Sequence, residues 1–152
     1  MQEIVSKIQE LQDLSKDEIQ ALILESEKAM FESPHQIELP HTNHFSKSVY
    51  ARELHIPKGC FVVGKIHKFE NLNILSKGKL SVISIDGCQT VEAPFTVVSS
   101  PGVKRFAYAH EDSIWTTIHG TDEKDVDKIE DVFIAKSFEE FIEFKTKLVE
   151  GV

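Results

Sequence analysis

Lys65, His67, Lys68 and Glu70 fall within six residues of an otherwise apolar stretch. Alternation along Phe61-Val62-Val63-Gly64-Lys65-Ile66-His67 places Phe61, Val63, Lys65 and His67 on one face of a strand. A face that begins apolar and ends in Lys and His suits a barrel interior that opens into a polar pocket. It also suits a hairpin edge that carries solvated charges. A second group lies downstream. In Ile114-Trp115-Thr116-Thr117-Ile118-His119 the same periodicity puts Trp115, Thr117 and His119 together. Trp115 offers a flat apolar wall with one N–H donor, and Thr117 offers a hydroxyl. Arg105 can grip a phosphate or carboxylate with two parallel bonds, and Lys65 adds a point charge. His67 and His119 have the chemistry of a base and an acid near neutral pH, with Glu70 placed to orient one of them. No nucleophile elbow and no glycine-rich phosphate loop occurs.

These residues need a scaffold. From Val49 to His119 short runs of Val, Ile, Phe and Thr are broken by Pro57-Lys58-Gly59, Lys77-Gly78, Asp86-Gly87, Ala93-Pro94 and Pro101-Gly102. That spacing predicts an all-β sandwich or barrel. Ser76 to Lys79 reads as a turn between two strands, with Gly78 supplying positive φ, and Ile66, Leu72, Ile74 and Leu80 as the apolar members. Asp86-Gly87 is a two-residue hairpin signal. Ahead of this body, Ile4, Ile8 and Leu11 repeat at helical spacing. Ser15-Lys16-Asp17-Glu18 is a capping box that opens a helix to about Phe31, with Ile19, Leu22, Ile23 and Met30 as its apolar stripe. Residues 33–48 read as a loop. Its His41, Asn43 and His44 have donor types that bind metals, but solvent-facing histidines are the ordinary outcome there. Behind the body, residues 122–135 are acidic and partly helical, and Ser137-Phe138-Glu139-Glu140 opens a helix with Phe138, Phe141, Ile142 and Leu148 as its buried side.

Composition narrows the function. The chain of 152 residues suits one domain, and 41% hydrophobic content supports a core. The formal charge of −8 argues against a nucleic-acid polymer as partner. The acidic charge sits at the ends, −5 over residues 1–32 and −5 over residues 122–152, which leaves +2 in the middle. A small anionic ligand is therefore compatible with the middle of an acidic protein. Cys60 and Cys88 lack CxxC spacing and read as core thiols of a reduced, cytoplasmic protein. No apolar run is long enough to span a membrane, and the N-terminus does not read as a signal peptide.

Placed in order, these motifs resemble the cupin superfamily. Pro57-Lys58-Gly59 matches the usual lead-in. Lys65-Ile66-His67, Asn71 and Gly78 fit the first motif, with Lys65 at the first His place and Asn71 at the Glu place. Gly87, Pro94, Ser100-Pro101-Gly102 and Arg105 match the second more loosely, with Arg105 at its His place. More narrowly, Val49-Tyr50-Ala51-Arg52, His67-Lys68-Phe69-Glu70-Asn71 and Trp115-Thr116-Thr117-Ile118-His119 are similar to small cupin-like proteins encoded by tailed bacteriophages. The resemblance implies a mainly β fold: a single cupin-type antiparallel β-barrel, or jelly roll, over residues 34–121, between an N-terminal helical segment, 1–33, and a C-terminal helical segment, 122–152. Of the usual cupin metal ligands only His67 survives, and Lys65 and Arg105 place cations where a metal would sit. His67, Glu70 and His119 form an improvised donor set of types that suit Fe(II). The expectation is nonetheless no metal and no cofactor.

The sequence thus predicts His67, Glu70 and His119 as catalytic candidates and Lys65, Asn71, Arg105, Tyr108, Trp115 and Thr117 as ligand-binding candidates. The expected ligand is small and anionic, nucleotide-like or a sugar phosphate, and the chain either binds it or converts it. The alternatives are an anti-defence sponge that sequesters a nucleotide signal, and a structural or assembly protein of the virion. A homodimer or larger homo-oligomer is expected, because an amphipathic N-terminal helix and open sheet edges invite pairing.

Overall fold

The computed structural model describes residues 10–151. Ile4 and Ile8, assigned above to a helical repeat, lie outside the described residues. Helix α1, Lys16–Glu32, starts where the capping box predicts, with Ser15 Oγ accepting from the Glu18 N–H at 3.2 Å. Eleven strands follow. They are β1 His41–Ser46, β2 Val49–Ile56, β3 Phe61–Val63, β4 Ile66–His67, β5 Asn71–Lys77, β6 Lys79–Ser84, β7 Gly87–Glu92, β8 Phe95–Ser99, β9 Phe106–Ala109, β10 Ser113–His119 and β11 Ile134–Ala135. Helix α2, Val126–Phe133, precedes β11, and helix α3, Phe138–Val149, follows it.

All strand pairs are antiparallel. They form a five-stranded sheet in the order β1-β2-β10-β5-β8, a four-stranded sheet in the order β3-β9-β6-β7, and a β11-β4 ribbon. The expected mainly β fold with flanking helices is present. The sheets, however, are not closed into a barrel.

The core explains the two-layer arrangement. Ile56 and Leu75 from the five-stranded sheet meet Leu80, Val82, Val91, Ala107 and Ala109 from the other, and Trp115 packs against them. A second cluster lies outside the four-stranded sheet, where Ile19 and Ile23 of α1 cover Ile83.

The turn expected at Ser76 to Lys79 is present, and it forms a corner between sheets, since β5 and β6 belong to different ones. Gly78 has φ 92°, and a Cβ there would strike Ser113 Oγ and the Asp112 carbonyl. Several other expectations are corrected by this geometry. The β6–β7 turn is Ile85-Asp86, one residue earlier than expected, because Ser84 pairs with Gly87. Residues 41–46 form β1 rather than a loop. Alternation from Phe61 to His67 is broken at Gly64-Lys65, so Phe61 points outward onto Phe106 and Tyr108. On β5 the buried residues are Asn71, Asn73 and Leu75, which turns Leu72 and Ile74 to the outer face. In α3, Ile142 and Leu148 are exposed, while Phe144 meets Phe69 edge-on and Phe141 lies against Gly102.

Candidate functional site

The inner face of the five-stranded sheet grades from apolar to polar along its strands. Cross-strand partners share a face. Leu54, Trp115, Leu75 and Phe95 form one row across β2, β10, β5 and β8. The next row is Arg52, Thr117, Asn73 and Val97. His119 then pairs with Tyr50, and Asn71 with Ser99. The apolar row joins the core, and the polar rows line a cavity of about 130 Å³.

The other walls come from elsewhere in the chain. Gly64, Lys65 and His67 arrive from the β3–β4 corner, and Val103 and Arg105 from the segment before β9. Ile129, Glu130, Phe133 and Ile134 arrive from α2 and β11. The C-terminal segment is therefore a wall of the site. It is pinned by the β4–β11 ribbon, in which His67 pairs with Ile134, and by a Lys68 N–H bond to the Phe133 carbonyl at 2.7 Å.

His67 Nδ1 lies 3.0 Å from His119 Nε2, and their rings stack with centroids 5.0 Å apart. Phe133 covers His119 at 4.6 Å. Burial, and then the positive charges of His119, Arg105, Lys65 and Arg52, push the His67 pKa down to about 4. Burial also lowers that of His119. Both rings are therefore neutral near pH 7, with one N–H bridging them. Tyr50, 4% exposed, bonds Asn43 Oδ1 at 2.7 Å, and burial raises its pKa.

Arg105 donates from Nη1 to Ser99 Oγ at 2.6 Å and lies 6.0 Å from the centre of the Trp115 ring. Burial lowers its pKa, an effect that Asp86 opposes. Asn73 bonds Trp115, Thr117, Asn71 and Ser99. Lys65 sits half-exposed at the rim, paired with Glu130 at 2.7 Å. Among the described residues no carboxylate forms an ion pair with Arg52 or Arg105.

Of the expected site residues, Lys65, His67, Asn71, Arg105, Trp115, Thr117 and His119 meet at this cavity. Glu70 and Tyr108 do not. Glu70 is exposed beyond the end of β4, and Tyr108 faces outward from β9, where it packs at a tilt on Phe61 and edge-on to His110. Lys104 precedes Arg105 in the chain but does not line the cavity. It is 8% exposed and paired with Glu27 of α1 at 2.6 Å. Tyr50, Arg52, Asn73 and Glu130 escaped the sequence reading. The signal for Arg52 and Asn73 was parity with Leu54 and Leu75 on their strands.

The donor set does not fit a cupin-type metal. No group of three or more His, Cys, Asp or Glu side chains that could hold a metal occurs among the described residues. The histidine pair faces guanidinium groups, and the nearby Glu130 is held by Lys65.

No family model matches the sequence, and no curated protein is similar to it. Solved structures are similar in fold. KdgF from Halomonas sp. is 11% identical, over 63% of this chain and 90% of that one, with a TM-score of 0.50. An RmlC-like cupin from Shewanella frigidimarina NCIMB 400 is 16% identical, over 62% and 92%, with a TM-score of 0.48. The fold is the double-sheet jelly roll of the cupins, and at these identities the likeness is one of fold. Among the described residues, no helix is long and apolar enough to cross a membrane.

Proposed function

We propose that the cavity binds a small anionic polar molecule, a sugar phosphate in preference to a whole nucleotide. The observation that carries this is the pair of guanidinium groups, Arg52 and Arg105, lining one cavity with no carboxylate partner among the described residues. A partly dry cationic site favours an anion through charge-assisted bonds. Its size argues for a compact ligand, because about 130 Å³ is well below the roughly 300–1,000 Å³ of pockets for drug-sized molecules.

A second function is turnover by proton transfer, favoured by the His67–His119 contact at 3.0 Å. The neutral pair presents a base and an acid beside cations that would stabilise developing negative charge. Incubation with a panel of sugar phosphates and nucleotides, read by mass spectrometry, tests the assignments. Product identifies an enzyme. A nucleotide recovered intact identifies a phage-type anti-defence sponge. Retention of no member rejects the ligand site and favours an assembly role. We also propose a homodimer or larger homo-oligomer, and light scattering that gives the mass of one chain rejects it.

A further inference from the structure

Chemistry fixes the direction of the hydrogen bonds around Asn73. The indole Nε1 of Trp115 can only donate, so the Asn73 atom 3.2 Å from it is the carbonyl oxygen. The Thr117 hydroxyl lies 2.7 Å from that same oxygen and must give its proton to it. The amide nitrogen of Asn73 then donates to Asn71 Oδ1 at 2.8 Å and to Ser99 Oγ at 2.6 Å. Asn73 is 2% exposed, so water does not compete for these bonds.

The consequence falls on the cavity. A threonine hydroxyl normally rotates to donate or accept as its partner requires. Here Thr117 has committed its only proton, and it faces the cavity with lone pairs alone. No other hydrogen bond reaches its oxygen among the described residues. Arg52 is its cross-strand neighbour, and Arg105 lines the same cavity. The cavity thus sets an acceptor beside cations.

We infer that Asn73 makes the cavity selective for an anion that also carries a hydroxyl, with the acidic group on the guanidinium groups and the O–H donated to Thr117 Oγ1. This rests on the anion-binding function proposed above and narrows it to hydroxylated anions such as polyol and sugar phosphates. An anion without a hydroxyl leaves the Thr117 acceptor buried and unpaired, which is the penalty that lets polar sites reject analogues lacking the matching group. Asn73 is a positioning residue in this scheme, acting through Thr117.

The test compares sn-glycerol 3-phosphate with n-propyl phosphate. The two share a three-carbon chain and a phosphate and differ in their hydroxyls. Binding is read by calorimetry and by the fluorescence of Trp115, the only tryptophan in the chain. The expected result is glycerol phosphate tighter by about tenfold or more. Thr117→Val should bring the ratio close to one without weakening propyl phosphate, and Thr117→Ser should restore it. Asn73→Ala frees the Thr117 proton and should also collapse the ratio, with the Trp115 indole N–H resonance moving to its unbonded position. If Asn73→Ala does not fold, the Thr117 variants decide. Equal binding of the two phosphates, abolished by Arg105→Ala, overturns the hydroxyl requirement alone. Binding of neither, or binding indifferent to Arg105→Ala, overturns the anion site and this inference with it. A ratio that collapses in Thr117→Val but persists in Asn73→Ala removes Asn73 from the scheme.

Discussion

His67 combines burial with a cationic surround, and its titration should be visible in stability. Its pKa is pushed from 6.5 to about 4 in the folded chain. Between those values the unfolded chain binds a proton that the folded chain refuses, so stability falls as pH drops through that window and is level on either side of it for this group. The loss is up to about 3 kcal/mol. Burial of His119 and His110 acts in the same direction. Thermal melts at pH 8 and pH 5 should show a large drop for the wild type and a smaller one for His67→Gln; equal drops would remove His67 from the account. Arg105 and Lys104 are adjacent but should behave differently. Arg105→Ala should weaken an anionic ligand about ten- to a hundredfold, since a charge-assisted bond contributes roughly 1.5–3 kcal/mol. Lys104→Ala should leave that affinity unchanged and cost about 1–3 kcal/mol of stability, because it leaves Glu27 of α1 without its partner. A double-mutant cycle with Glu27→Ala checks the second outcome by denaturant titration.

At the level of elements, two joints control whether the site forms. The corner at Gly78 passes the chain from β5 to β6, and therefore from the polar wall of the cavity into the opposite sheet. With φ at 92° and the Asp112 carbonyl where a Cβ would lie, Gly78→Ala should destabilise the fold by about 1–3 kcal/mol in urea titrations. The other joint is α2, which holds the 3%-exposed Ile129 against the cavity. Ile129→Ala should cost about 2–4 kcal/mol and speed ligand release more than it slows capture, as stopped-flow fluorescence of Trp115 would show.

Across the whole molecule, sites far apart in sequence converge. The acidic end of the chain, −5 over residues 122–152, packs beside the mildly basic middle. The Lys65–Glu130 and Lys68–Glu140 pairs join the two, at 2.7 and 3.6 Å. Removing residues 126–151 should therefore strip one wall from the cavity, uncover the buried Ile66, lower the melting temperature and abolish binding of sn-glycerol 3-phosphate. Retention of full affinity by the shortened chain would show that α2 and β11 are not part of the site.

Local rules within the sequence determined the helix starts at Ser15 and Ser137 and the all-β body, because capping, turn chemistry and alternation act between near neighbours. They also placed Trp115, Thr117 and His119 on one face, since β10 is long and unbroken. Tertiary structure decided the rest. Hydrophobicity alone points β5 inward through Leu72 and Ile74. The fold instead buries Asn71 and Asn73, because Trp115, Thr117 and Ser99 are there to satisfy them. No pattern along the chain shows that Lys104 meets Glu27, that Tyr108 turns away from the cavity, or that α2 closes over His119. Those outcomes depend on which sheet a strand joins, and they are fixed only when segments distant in sequence compete for the same buried volume and the same hydrogen-bond partners.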